Sequence, residues 1–126
     1  MSVEFAEEER MLIELVQKFI DNELMPLEKA VMAREAAGLP YALTHEEEQP
    51  LLAKCKEIGL WALDAPEEVG GVNLPSRVML AIQERLKGTI TPFIFPPDSP
   101  NLHMLMAVAT DAQKKKYMEP YAQGEM

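Results

Sequence analysis

The sequence predicts an all-α fold, about six helices in one orthogonal, bundle-like domain. Apolar residues recur at three- and four-residue spacing, as one stripe of a helix requires. Two threonines stand three residues before a side chain that can reach back to them, the pattern of a capping box. No stretch alternates apolar and polar residues over four to eight positions, as a half-buried strand would.

Leu12, Leu15, Val16, Phe19 and Ile20 define the stripe of a first helix from Glu7 to Leu24. Pro26 breaks or kinks it, because the ring lacks an N–H and crowds the preceding turn. Leu27 to Ala37 holds helix formers, and Gly38-Leu39-Pro40 closes that second helix. Thr44-His45-Glu46-Glu47 opens the third, in which Leu51, Leu52, Cys55 and Ile58 share a face and Gly59 is the stop; Pro50 falls within its opening turn or just past it. Ala65 to Gly71 reads as a loop, and Pro75 as the first residue of a helix running to about Lys87. That helix would bury Met79, Ile82 and Leu86 and end at Gly88.

Thr89 to Pro100 contains four of the ten prolines beside Phe93, Ile94 and Phe95, too apolar for a disordered linker and therefore a packed loop. Asn101 to Ala109 reads as a helix. Thr110-Asp111-Ala112-Gln113 then opens a short helix through Met118, with Pro120 as its end.

The 126 residues suit one soluble domain with a core that needs no staples. Twelve basic residues against 21 acidic ones give a net charge of -9, which repels a phosphate-rich partner, so no nucleic acid is expected. No apolar run reaches the roughly 20 residues of a membrane span, so no membrane partner is expected either. The acidic start, Met1 to Glu9, lacks the basic and apolar regions of a secretory leader, and the single cysteine fits a reducing, cytoplasmic compartment.

The residues able to carry chemistry have structural explanations beside the functional ones. His45 lies in a capping box and His103 within an apolar helix, away from any nucleophile pattern. Glu7-Glu8-Glu9 and Glu46-Glu47-Glu48 open helices, where carboxylates complement the positive end of the dipole, so no metal site is expected. Lys114-Lys115-Lys116 diverge around a helix and do not converge on one anion. Cys55 reads as a small buried hydrophobe, and the nine methionines as core filling. Asp98-Ser99 is similar to the pair that carries the prosthetic arm of acyl carrier proteins, although Pro100 stands where those have an apolar residue.

One ordered set of segments spans nearly the whole chain. Gly59-Leu60-Trp61-Ala62-Leu63-Asp64-Ala65-Pro66-Glu67-Glu68-Val69-Gly70-Gly71 is followed by a helix ending near Glu84, then Thr110 to Tyr117, then Gly124-Glu125. Together they resemble the N-terminal helical domain of the acyl-CoA dehydrogenases. Pro97-Asp98-Ser99-Pro100-Asn101 further resembles the Ala-Pro-Asp-Thr-Gly-Asn motif of a branch acting on longer-chain and hydroxylated acyl groups. Pro100 replaces the glycine of that motif, and Arg85 follows Glu84 where many relatives have Glu-Glu-Leu.

The resemblance implies a dimeric or tetrameric flavoenzyme in which a glutamate removes the α-proton of an acyl-CoA and FAD accepts the β-hydride. The β-domain with the flavin segment and the helical bundle with the catalytic glutamate would follow Met126. These 126 residues are therefore expected to hold no catalytic residue and to bind no FAD by themselves. They would supply one wall of the acyl pocket, met by acyl-CoA only in the full enzyme, with Gln83, Glu84, Asp98 and Asn101 as the substrate-binding candidates. The alternative for those four is a capped or solvated surface position. The alternative for the whole chain is a non-enzymatic helical interaction module that pairs with a flavoprotein subunit. An isolated domain of this kind would bare an apolar face, so self-association is expected. Light scattering at rising concentration should give a dimer or larger species; a strict monomer that binds no apolar dye would contradict it.

Overall fold

Among the described residues three prolines lie within helical runs, Pro26, Pro50 and Pro120, and the first and last each follow a π-helical turn. In the computed structural model, which describes residues 5–97 and 102–124, the chain is helical from Glu7 to Ala36 without interruption. That run comprises α1 (Glu7–Phe19), a π-helical turn (Ile20–Leu24), a 3-10 turn (Met25–Leu27) and α2 (Glu28–Ala36). The Met25 N–H donates to the Ile20 carbonyl, five residues back. This widening just before the proline ring bends the helix without breaking it.

The same device recurs near the other end. The second run is α6 (Asp111–Gln113), a π turn (Lys114–Met118) and α7 (Glu119–Ala122). Glu119 N–H donates to the Lys114 carbonyl, five residues back, and Pro120 lies in the first turn of α7. The sequence reading ended the helix at Pro120; the π turn instead carries it on to Ala122. Between these runs stand α3 (His45–Ile58), α4 (Ser76–Leu86) and α5 (Leu102–Val108). Among the described residues there are five helical runs and no strand, which is the all-α class the sequence predicts.

The chain divides into two compact units, Met1–Leu51 with Ser76–Phe93, and Leu52–Pro75 with Ile94–Met126. In the first, α1 and α4 run side by side in the same direction. Arg77 donates to both carboxylate oxygens of Glu9 at 2.8 Å, and Arg85 donates to the Gln17 side chain at 3.3 Å. The two pairs are equally spaced on their helices, roughly 12 Å apart along each. Ile13, Val16, Phe19, Ile20 and Leu24 are buried from the first run, and Val78 and Ile82 from α4. The α4 stripe is thus centred on Val78 rather than on Met79 and Leu86, which are half-buried. The helix also begins one residue later than Pro75.

The 89–93 segment lies antiparallel to the bent helix. Thr89 Oγ1 and the Ile90 N–H both donate to Glu28 at 3.0 and 3.2 Å. The buried Thr91 hydroxyl donates to the Leu24 carbonyl at 2.7 Å, at the kink, and Phe93 meets Phe19 with ring centroids 5.5 Å apart. Side-chain oxygens thereby serve backbone groups that the change of helical register exposes.

The start of α3 is held as its sequence predicts. The Glu47 N–H donates to the Thr44 hydroxyl at 3.2 Å, and the Thr44 N–H donates to the Glu47 carboxylate at 3.0 Å. Glu47 also receives a bidentate pair from Arg34 at 2.6 and 3.2 Å, which joins the end of α2 to the start of α3. That guanidinium, with the backbone bond from Thr44, holds the Glu47 carboxyl below its ordinary value of 4.5. Because the folded value is the lower one, the contribution is complete above the unfolded value and is lost as pH falls through the folded one. Urea unfolding should show Glu47→Gln about 1 kcal/mol less stable at neutral pH, with the gap to the parent shrinking below about pH 4.5; a gap that persists unchanged in acid would contradict this. Thr91→Val should cost about 1 kcal/mol by leaving the Leu24 carbonyl without its donor, read in the same titration.

Candidate functional site

On α4, Val78 and Ile82 point inward, and this orientation decides where the neighbouring polar residues lie. Gln83 and Glu84 are exposed, next to Leu80, which is 65% exposed, and Lys87. At 100° per residue these four side chains form one ridge on the outer side of the helix. The ridge combines an apolar side chain with an amide, a carboxylate and an ammonium in water, a surface able to pack against a chain and hydrogen-bond its polar groups. Of the four candidates, the structure describes these two; Asp98 and Asn101 lie outside the described residues.

The second unit contains a cluster that sequence reasoning missed. Trp61 Nε1 donates to the Ala122 carbonyl at 2.8 Å, Lys56 Nζ donates to the Gln123 carbonyl, and Gln123 Nε2 donates to the Val69 carbonyl at 2.9 Å. Lys56 also sits 4.8 Å over the Trp61 ring, a cation–π distance. The last turn of α7 is therefore capped by side chains from the end of α3 and the loop beyond it. Gly70 has φ +86, and a methyl group there would meet the Gln123 amide. A methyl group at Gly71 would overlap the Ala65 carbonyl, and one at Gly124 the Trp61 ring. Ala62, Ala65, Val69, Met106, Met118 and Ala122 form the buried cluster beneath, with Trp61 and Ala109 against it. The paired glycines of the 59–71 segment were the available signal, since close approach of backbones demands them.

Glu68, Asp111, Ala112, Lys114, Lys115 and Glu119 line an open depression in the same unit. Lys114 pairs with Glu68 at 3.2 Å and shares the depression with Lys115, while Lys116 lies 5.3 Å over the Tyr117 ring, so only the third lysine of the run turns away. His45 is exposed at the first turn of α3, and Cys55 is fully buried. Among the described residues no group of three His, Cys, Asp or Glu side chains could hold a metal ion, and no helix is long and apolar enough to cross a membrane.

The Trp61 ring is half-buried in the cap of α7, Phe19 and Phe93 are paired with one another, and the depression carries two lysines, Lys114 and Lys115, beside its three carboxylates.

The chain is similar to known proteins along nearly its whole length. The family described as acyl-CoA dehydrogenase, N-terminal domain, matches residues 6–125. The (R)-benzylsuccinyl-CoA dehydrogenase of Thauera aromatica is 34% identical along the whole chain, which covers 33% of that protein. The 3-(aryl)acrylate reductase of Clostridium sporogenes is 26% identical over 96% of the chain and 30% of its own length. A solved Mycobacterium abscessus chain assigned as an acyl-CoA dehydrogenase superposes with a TM-score of 0.75 at 28% identity, over 98% of this chain and 33% of that one. The chain thus spans about a third of the length of the relatives it matches.

The steric argument predicts that Gly71→Ala costs about 2 kcal/mol or more. Gly88→Ala, whose new methyl lies 3.2 Å from the Arg85 carbonyl, should cost less. Thermal unfolding of the two variants checks the order; equal melting temperatures would contradict the close approach at Gly71.

Proposed function

Because the chain belongs to the acyl-CoA dehydrogenase N-terminal domain family, we propose that it serves as the helical domain of an acyl-CoA dehydrogenase-like flavoenzyme and forms one wall of its acyl pocket. The observation that carries this reading is the match over residues 6–125 together with the outward ridge of Leu80, Gln83, Glu84 and Lys87 on α4. Asp98 and Asn101 complete the proposed set of contacts from the 94–101 segment.

In this reading the domain binds and orients while other parts of the full-length protein perform the reaction. The α-proton of an acyl thioester is taken by a carboxylate within about 3 Å, and the β-hydride goes to FAD. Neither the base nor the flavin site belongs to these residues, so the chain by itself is not catalytic. Its contribution is to exclude water from the acyl chain with Leu80 and to hydrogen-bond polar substituents with Gln83 and Glu84.

The names of both curated relatives carry an aryl group. The substrate proposed here is accordingly an aryl-substituted acyl-CoA, in a cytoplasmic enzyme that assembles as a homo-oligomer and needs neither nucleic acid nor membrane. Kinetics of the flavoenzyme that carries this domain test the reading. Gln83→Ala and Glu84→Ala should each raise KM for an aryl-substituted acyl-CoA by roughly 10-fold, the value of one lost hydrogen bond of about 1.4 kcal/mol, with kcat little changed. An unchanged KM in both variants would remove this ridge from the pocket.

A further inference from the structure

We draw no further inference here: the strongest candidate, the exposed apolar pair Leu105 and Val108 on α5, carries nothing, because nothing in the structure shows what covers it.

Discussion

The joint between the Lys56–Gly71 segment and the final turn of α7 governs the second unit. Residues 59–75 contain only one short 3-10 turn, Glu67–Val69, yet Leu60, Ala62, Leu63, Ala65 and Val69 are buried. Irregular backbone survives burial only if its N–H and C=O groups find partners, because each orphan costs as much as a lost hydrogen bond. Here the Ala62 N–H donates to the Pro96 carbonyl, Val72 N–H to Ala62, Leu74 N–H to Leu63, and the Gln123 amide to the Val69 carbonyl. Trp61 and Lys56 close the circuit by capping the carbonyls of Ala122 and Gln123. The constraint is mutual: α7 needs donors at its C-terminal end, and the buried loop needs an acceptor-and-donor surface to lie against. Ala62 adopts φ 53 to make the turn, a conformation that non-glycine residues tolerate only where the surroundings enforce it.

The helices were legible where local chemistry specifies them. The boxes at Thr44 and Thr110 form with both of their reciprocal bonds, and Gly38 and Gly59 take the left-handed conformation expected of helix stops. Local rules fell short where helix geometry itself changes. Pro120 reads as a stop because a proline in a helix interior forfeits a hydrogen bond, but the π turn before it leaves the ring in the first turn of α7; a π turn likewise precedes Pro26, where the kink, one of the two outcomes the sequence allows, carries α1 on into α2. The centre of the α4 face, Val78, lies one residue from Met79, a rotation of about 100° that short apolar windows resolve poorly.

The site was less legible than the fold for a physical reason. Of the residues singled out for substrate contact, Gln83 and Glu84 are exposed, as a pocket wall and a solvated surface both require, so their sequence context alone favours neither. The Trp61 and Gln123 contacts pair residues more than fifty positions apart, which no periodicity encodes. Their glycine-rich surroundings permit close approaches, at Gly70 to the Gln123 amide and at Gly71 to the Ala65 carbonyl. The glycine-rich motif thus builds the unit, while the polar face of α4 lies on another element.

The most direct measurement is the mass of the native polypeptide that contains these residues, located in cell extract through peptides from 6–125. On the proposed function, the chain should be found in a species about three times its own 14.2 kDa, co-eluting with flavin absorbance. A flavin-free polypeptide near 14.2 kDa would contradict the account and leave a helical protein whose partner has to be sought.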